Sequence, residues 1–412
     1  MKQKEIGIIG AGAAGLAAGI FAAREGGSVR ILEHGEKAAK KILMTGNGKC
    51  NYTNALISPS SYHEKEGSFV MKAIERFSSD ETIAFFKTLG VEPLSREGYI
   101  YPRSEQASSI RNALLYEAER LGIKIETSCK IKEIRSSSEG FIIQKEGEKL
   151  FVERLIIASG SLAASFTGSD GSAFRWIEKM GHHIIKPLPA LCAIHCKSEK
   201  GFFKLAAGVR VKTALRLYIE DVFFREEFGE VQITDYGLSG IPVFQLSRTI
   251  ARALAEGKKA ELSMDLLHFA EEGEAYLLSR HRDTGLDTLE KFGNGLFNQK
   301  LWQAILKLAS LEGKMRIGEE NRKSLCKILA KYLSEYRFLA LSTAEYDKAQ
   351  VCTGGVDLKE IDENTMESKL RKGLYFAGEV MDADGICGGY NLQWAWTSAY
   401  IAGKAAAKRE GR

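Results

Sequence analysis

The chain has 412 residues, of which 44% are hydrophobic and 27% are charged, and its formal net charge is +5. This balance is ordinary for a soluble globular protein of two or three domains. No stretch reaches the roughly 20 apolar residues of a membrane span, so a membrane partner is excluded. The mild positive charge fits an anionic ligand and leaves nucleic acid an unlikely partner, since no long Lys/Arg block is present.

Seven cysteines are scattered along the chain without a CxxC pair, which predicts a reduced, cytoplasmic protein. The first residues, MKQKEIGIIGAGAAG, have two lysines before an apolar run, as a secretory signal does. Glycines interrupt that run, and it continues into a strand–turn–helix pattern, so we expect no processing.

The chain opens with a β–α–β pattern, which is typical of a doubly wound sheet. Residues 5–9 and 28–32 are short apolar β runs, and residues 11–25 between them are Ala-rich with helical spacing. Helices are then predicted around 71–89 and 108–121. Three alternating runs at 130–135, 141–144 and 150–152 indicate a β-meander before a buried strand at 154–158.

The pattern of hydrophobic and polar residues changes near Pro187 and Pro189. Residues 191–266 alternate with period two, which predicts an inserted β-barrel or sandwich with a hairpin tip at Glu220-Asp221. Residues 267–336 are helical and charged, and 337–412 return to strands and a final helix over 392–409. The sequence therefore predicts an α/β nucleotide-binding domain over 1–190, interrupted by a barrel and a helical subdomain.

The motif GxGxxG lies directly between the first strand and its helix. Its first glycine permits a tight turn, its second lets the backbone approach a pyrophosphate, and its third allows close helix–strand packing. The free N–H groups of the helix N-terminus attract phosphate. The loop residues predicted to bind are Gly10, Gly12, Ala13, Ala14 and Gly15.

Glu33 ends the second strand, well beyond Gly15, the last glycine of the loop. A carboxylate there accepts a hydrogen bond from a ribose 2′-hydroxyl and repels a 2′-phosphate. The ligand is therefore an unphosphorylated adenosine, in FAD or NAD.

A second glycine-rich helix start, Gly388-Gly389-Tyr390-Asn391, decides between FAD and NAD. It follows the apolar strand 373–377, which runs into Gly378 and Glu379. A helix N-terminus aimed at N1/O2 of a flavin would stabilise the negative charge of the reduced ring. NAD has no group that needs this second site, so FAD is the predicted cofactor.

Seven segments resemble the HI0933-like family of flavoproteins, also described as aminoacetone-oxidase-type, which includes bile-acid ene-reductases. They span nearly the whole chain: GIIGAGAAGLAA, KKILMTGNGKCNYTN, GYIYPRSEQA, LIIASGS, TDYGLSGIPVFQLS, QVCTGGVD and TMESKLRKGLYFAGEVMDADGICGGYNLQWAWTSAYIAG. The resemblance implies a two-dinucleotide-binding-domain FAD flavoprotein with an inserted β-barrel and a helical subdomain.

The resemblance also implies a set of FAD contacts, carried over position by position. A loop wrapping the FAD would contain Lys41, Thr45, Gly48, Asn51 and Asn54. The adenine would meet the backbone of Ile131, and the ribityl–phosphate region would lie over Gly160 and near Gly378 and Glu379. The flavin ring would contact Gly389, Asn391 and Leu392.

The sequence departs from the family pattern at several positions. Lys49 replaces an arginine and loses bidentate anion binding. The usual ATGG is Ala158-Ser159-Gly160-Ser161, and the glycine-rich turn that follows is altered at 171–174. The last change falls in the substrate-side loop and not in the FAD site.

Tyr101 and Arg103, with Asn391, are the candidate catalytic residues. The first two, with Tyr99, fall in a segment punctuated by glycine and proline, which predicts a loop, and a tyrosine near a flavin can protonate a carbon or bind a carbonyl. The alternative without a catalytic role is a hairpin that packs on the domain.

The cysteines carry no predicted chemistry. Cys50, Cys352 and Cys387 are interpreted as packed thiols. On a strand His195 faces away from Cys192 and Cys196, so no metal site is predicted.

The predicted function is an FAD-dependent oxidoreductase in which NAD(P)H, bound transiently, supplies electrons to reduce a C=C bond conjugated to a carbonyl. The resemblance to the HI0933-like family implies that the substrate is a 3-oxo steroid or bile-acid intermediate. Two alternatives stay open: an RNA-modifying flavoenzyme reducing uridine to dihydrouridine, and an amine or aminoketone oxidase. The sequence leaves the oligomeric state open.

Overall fold

The computed structural model describes residues 5–64 and 67–408. Contacts divide the chain into two units. Unit 1 is formed by two segments, one running to Leu188 and the other starting at Val351, and unit 2 is Pro189–Gln350. The finer division into a barrel over 191–266 and a helical part over 267–336 stays a prediction.

The first segment of unit 1 carries most of the strands of the α/β fold. Its strands are β1 (Glu5–Ile9), β2 (Ser28–Leu32), β3 (Thr53–Asn54), β4 (Tyr62–His63), β5 (Pro93–Arg96), β6 (Tyr99–Pro102), β7 (Lys124–Glu126), β8 (Ile131–Ser136), β9 (Phe141–Lys145), β10 (Lys149–Val152), β11 (Arg154–Ile157) and β12 (Ile184–Ala190). Its helices are α1 (Ala13–Arg24), α2 (Phe69–Ile74), α3 (Ser79–Thr88), α4 (Ala107–Arg120) and α5 (Phe174–Lys179).

Unit 2 contains a closed barrel and a set of helices. Its strands are β13 (Ile194–Cys196), β14 (Arg210–Ile219), β15 (Val222–Ile233), β16 (Gly237–Ser239), β17 (Ala260–Asp265) and β18 (Arg337–Thr343), in the order β13-β16-β15-β14-β17-β18. Its helices are α6 (Phe202–Ala206), α7 (Ile241–Ala255), α8 (Gly273–Thr284), α9 (Leu289–Gly293), α10 (Gln299–Leu308) and α11 (Glu319–Ala330). The predicted hairpin tip is confirmed, because Glu220 and Asp221 join β14 to β15 with φ of 49° and 66°.

The second segment of unit 1 completes the α/β fold. It contributes β19 (Val351–Val356), β20 (Leu374–Phe376), β21 (Asp384–Gly385) and α12 (Tyr390–Ala407). The final helix begins earlier than predicted, at Tyr390, because the turn over Gly388 and Gly389 already ends there. Its predicted end at Arg409 lies outside the described residues.

A parallel five-stranded sheet, in the order β20-β11-β1-β2-β7, is the centre of unit 1. Strand β1 has a hydrogen-bonded neighbour on each side, and Ile6 and Ile8 are fully buried, as an apolar run in a parallel sheet requires. Helices α1 and α12 pack closely enough that a Cβ on Gly403 would lie 2.5 Å from the Ala18 carbonyl oxygen. Among the helices of the described chain, none combines the length and apolarity needed to cross a membrane.

The predicted β-meander is confirmed, with β8, β9 and β10 pairing in sequence order. The single helix predicted over 71–89 is wrong, because the structure has two helices there, α2 and α3. Ser78 begins the second: its hydroxyl accepts hydrogen bonds from the N–H groups of Asp80 and Glu81, and its own N–H donates to the Glu81 carboxylate at 2.7 Å. This capping box favours a new helix start over a continuous helix.

Candidate active site

The carboxyl edge of the parallel sheet gathers four predicted binding segments. Gly10 follows β1, Glu33 follows β2, Gly160 comes after β11 and Gly378 after β20. Because all five strands run in one direction, these segments meet at the same edge of the sheet. Ligands of open α/β sheets bind at such an edge.

The loop between β1 and α1 has the geometry of a phosphate loop. Gly10 has a φ of 97°, and a Cβ there would lie 2.6 Å from the Ala158 carbonyl oxygen, while one on Gly15 would overlap the Gly10 carbonyl. A Cβ on Gly12, by contrast, would meet no atom within 4 Å. Gly12 precedes α1 without a side-chain cap, so the first N–H groups of the helix face open space.

Glu33 is buried, with 8% of its surface exposed, and its carboxylate is tied to the same loop. One oxygen accepts a hydrogen bond from the Ala11 N–H at 2.7 Å, and the other accepts one from the Gly35 N–H at 2.7 Å. Each carboxylate oxygen can accept a further hydrogen bond. The predicted ribose contact therefore stays a prediction, and the structure adds a role that the sequence did not indicate, which is to order the phosphate loop.

Ile131 begins β8, and the backbone just before it is hydrogen-bonded to the segment that starts at Glu33. The N–H of Cys129 donates to the Glu33 carbonyl at 2.8 Å, and that of Ser128 donates to the Gly35 carbonyl at 2.9 Å. These bonds bring the backbone that leads into Ile131 to the Glu33 end of the sheet edge.

Lys41 and Glu379, which are 338 residues apart in the chain, form an ion pair with an Nζ–Oε2 distance of 2.8 Å. Lys41 also donates to the Ala163 carbonyl at 3.2 Å, and the second Glu379 oxygen accepts the Cys352 N–H at 2.9 Å. The pair therefore joins the 41–48 loop to the turns after β11 and β20.

The 41–51 loop has an unusual backbone. Gly46, Asn47, Gly48 and Cys50 all have φ between 52° and 83°, in the left-handed region. Thr45, just before them, donates its hydroxyl to the Ile42 carbonyl at 2.7 Å. A Cβ on Gly48 would meet nothing within 4 Å, so this part of the loop leaves its backbone open to a ligand.

The second glycine-rich helix start meets the end of this loop. Asn54 donates its side-chain amide to the Gly388 carbonyl at 2.9 Å. Gly389 has a φ of 93°, and a Cβ there would lie 2.8 Å from both Asn51 Oδ1 and the Thr53 carbonyl oxygen. Gly389 precedes α12 without a side-chain cap.

Asn391 and Leu392 form the first turn of α12. The Asn391 side chain bonds both the N–H and the carbonyl of Gly385, each at 2.8 Å. The side chain therefore fixes the turn before the helix, which is a positioning role. Leu392 is half-buried and packs against the core of unit 1.

The loop predicted around Tyr99 and Tyr101 is wrong, because these residues form strand β6. This strand pairs with both β3 and β5, and its alternation buries Ile100 on one face and leaves the two tyrosines half-buried on the other. The alternative interpretation, a hairpin that packs on the domain, is confirmed: β5 and β6 form a tight hairpin around Gly98, and Ile100 is buried in the core of unit 1.

The structure brings the two tyrosines, but not the arginine, to the predicted cofactor loops. Tyr99 lies against Gly388, and Tyr101 lies against Gly46. Desolvation raises the pKa of Tyr101 above its ordinary value, which keeps the phenol protonated. Arg103 is exposed beyond the strand end.

Cys50 and Cys352 are buried near these loops. Burial raises the pKa of Cys50 to about 12 and that of Cys352 to about 11. A thiol with so high a pKa is not a nucleophile near neutral pH. Within the described residues, no group of three or more His, Cys, Asp and Glu side chains is arranged to hold a metal ion.

A histidine–aspartate pair lies beside the second glycine-rich turn, and no sequence motif indicated it. Strand β4 bridges β21, so that His63 is opposite Asp384 and Tyr62 is opposite Gly385. His63 Nδ1 lies 3.3 Å from Asp384 Oδ2. Only the tertiary pairing of two segments that are far apart in the chain reveals this contact.

A family model described as "HI0933-like protein Rossmann domain" matches residues 4–405 of the chain. A 3-dehydro-bile acid delta(4,6)-reductase from Clostridium scindens is 41% identical over 414 residues, which cover 99% of this chain and 100% of the relative. A ribosomal RNA dihydrouridine synthase from Haemophilus influenzae is 28% identical over 95% of this chain and 96% of that protein.

Among solved structures, the chain is similar to a 3-ketosteroid delta1-dehydrogenase from Sterolibacterium denitrificans in complex with 1,4-androstadiene-3,17-dione. The TM-score is 0.51 at 12% identity, over 99% of this chain and 100% of the other. At this identity the likeness shows a shared fold.

Proposed function

Because the chain belongs to the HI0933-like family, we propose that it is an FAD-dependent oxidoreductase that reduces a C=C bond conjugated to a carbonyl, with NAD(P)H as the electron donor. The proposed substrate is a 3-oxo steroid of the bile-acid type. The observation that carries the proposal is the 41% identity, over essentially the full length of both chains, to a reductase of that kind.

The residues at the sheet edge fit FAD. The space in front of Gly12 is one that a Cβ would fill, and the uncapped N-terminus of α1 opens onto it, as a pyrophosphate requires. The uncapped N-terminus of α12 is a second anion-attracting site in the same unit, suited to the N1/O2 side of a flavin.

FAD, when bound, would supply hydride transfer at the flavin N5. The protein would contribute binding and orientation. Gly12 and the start of α1 would hold the pyrophosphate, and Glu33 would hold the ribose. The start of α12 would contact the flavin. The Lys41–Glu379 pair would fix the loops around the cofactor relative to one another. The N–H groups of α12 would lower the free energy of negative charge on the reduced ring.

The purified protein is expected to be yellow and to release FAD on denaturation. Released flavin would be identified by chromatography against FAD and FMN standards. Anaerobic addition of NADH or NADPH should bleach the flavin, and a 3-oxo-Δ4 steroid should restore its colour. Release of FMN alone, or bleached flavin that no enone restores, would contradict the proposal.

A second function is favoured by one observation, the 28% identity over nearly the whole chain to a ribosomal RNA dihydrouridine synthase. Reduction of uridine uses the same hydride chemistry. RNA binding through phosphates would weaken steeply as salt is raised, whereas steroid turnover would not. A third alternative, an amine or aminoketone oxidase, would release peroxide during turnover.

Glu33→Gln is expected to weaken FAD binding by about 1–3 kcal/mol, since one acceptor oxygen becomes an amide and a buried donor loses its partner. This corresponds to roughly a fivefold to 150-fold rise in Kd. Fluorescence titration of apoprotein with FAD measures the effect. Glu36→Gln, at a nearby exposed position, is the control and should bind as the wild type does.

A further inference from the structure

The reduction proposed above needs a proton as well as a hydride. Tyr101 lies at the cofactor loops, but desolvation raises the pKa of its phenol, which makes it a poor proton donor. Hydride addition at the β carbon moves an electron pair onto the carbonyl oxygen and forms an enolate. The enolate collapses to the saturated ketone when its α carbon receives a proton. An acid with a transferable proton must therefore lie beside the substrate.

The His63–Asp384 pair has the arrangement that such an acid requires. The Asp384 side chain is 3% exposed and that of His63 is 23% exposed, so the carboxylate is the buried partner and the ring reaches solvent. His63 Nδ1 is buried and faces Asp384 Oδ2 at 3.3 Å, although the angle falls short of a hydrogen bond. Catalytic hydrogen bonds often become linear only when substrate is bound.

The other ring nitrogen of His63 is Nε2. Throughout residues 5–64 and 67–408, no protein group forms a hydrogen bond with Nε2. A carboxylate that bonds Nδ1 fixes the tautomer and the orientation of a histidine ring, as it does for other catalytic histidines. Nε2 is then the proton-donating atom.

The position of the pair links it to the flavin end of the proposed site. The Ile386 N–H donates to the Ser61 carbonyl at 3.0 Å, and β4 and β21 bridge at the next two residues. The same turn is bound by Asn391 of α12 through Gly385. His63 and Asp384 are therefore held by the segment that leads into the helix start assigned to the flavin.

We propose that His63 is the proton donor to the α carbon of the substrate and that Asp384 is the residue that positions it, an assignment that rests on the proposed function. In this step the Nε2–H bond breaks and a Cα–H bond forms. The enolate electron pair becomes that bond, and neutral imidazole is left. Water returns the proton to His63 after the product leaves.

The experiment separates the two half-reactions in His63→Ala. Enzyme reduced anaerobically with NAD(P)H is mixed rapidly with a 3-oxo-Δ4 steroid, and flavin re-oxidation is followed by absorbance. Loss of the acid should slow re-oxidation by about 100-fold or more, the range typical of general acid catalysis. Flavin reduction by NAD(P)H should stay within about twofold, since it needs no proton from this residue.

A second readout is independent of rate. In D2O the wild-type product should carry deuterium on one face of the α carbon only, whereas His63→Ala should give a mixture because solvent then protonates the enolate. Added imidazole should restore part of the rate. Asp384→Asn should shift the 15N resonances of the His63 ring while leaving FAD content unchanged.

His183→Ala is the matched control, because His183 faces Asp357 at 3.6 Å in another histidine–aspartate pair but is 67% exposed. If His63→Ala destabilises the protein, His63→Asn provides a smaller change at the same position. Suppose that an enone re-oxidises the wild-type flavin, and that the His63 variants keep the same re-oxidation rate and the same one-face labelling. That result would overturn the His63 assignment and leave the proposed function intact. A wild-type enzyme that reduces no enone would contradict the proposed function itself, and the His63 assignment with it.

Discussion

Gly12→Val is expected to weaken FAD binding by at least about 100-fold, about 2.8 kcal/mol, while leaving the apoprotein folded. In the structure no protein atom lies within 4 Å of the Cβ that a valine at this position would add. Gly12 also has an ordinary extended backbone, with φ of −79° and ψ of −166°, which valine adopts without strain. The cost therefore appears only when a pyrophosphate enters the same space.

Two measurements separate binding from folding. FAD affinity is measured by titration of the apoprotein, and the thermal midpoint by circular dichroism without cofactor. Losing glycine as the residue before a helix costs at most about 1 kcal/mol, so the midpoint should fall by only about 2–4 °C. Gly313→Val, where the nearest atom to an added Cβ is 3.5 Å away, is the control in unit 2.

Gly15→Val provides the opposite case. Its Cβ would overlap the Gly10 carbonyl, so this substitution should unfold the loop and lower the midpoint together with FAD affinity. If Gly12→Val bound FAD as tightly as the wild type, the space before α1 would not hold a phosphate. The prediction of the cofactor site from GxGxxG would then be wrong.

The parts of the fold predictable from sequence are those fixed by neighbours along the chain. The β1–α1–β2 unit follows from an apolar run, a glycine turn and a helical Ala-rich stretch, all between Glu5 and Leu32. The hairpin at Glu220-Asp221 follows equally from local alternation. In each case the signal and the structure that it specifies lie in one short segment.

The contacts within the candidate site could not be predicted in this way. The Lys41–Glu379 and His63–Asp384 pairs each join a segment near the start of the chain to one near its end, and no periodicity encodes which distant side chains meet. The loop predicted at 99–103 is wrong for a related reason. Strand β6 pairs along its whole length with its neighbour β5, as in the alternative hairpin, whereas its pairing with the distant β3 could not be predicted from local glycine and proline spacing.

Gly389→Val is expected to slow flavin reduction by NAD(P)H about 10- to 100-fold per bound flavin, with a smaller effect on FAD affinity. The residue has a φ of 93°, and an added Cβ would lie 2.8 Å from the Thr53 carbonyl oxygen, a backbone atom that cannot rotate away. The start of α12 must therefore shift. Its N–H groups would leave the position where negative charge grows during reduction, and no basic side chain between Gly378 and Lys404 replaces them.

The ADP half of the cofactor is held by other residues, at Gly10, Gly12 and Glu33, which is why affinity should suffer less than rate. Gly122→Val is the matched control: its φ is 69°, so it carries similar backbone strain, but an added Cβ meets nothing within 4 Å. FAD occupancy, the anaerobic reduction rate and the flavin midpoint potential are measured on both variants. The midpoint potential should fall only in Gly389→Val. If occupancy collapses while the rate per bound flavin stays at the wild-type value, the start of α12 is a structural clamp and its electrostatic role is disproved.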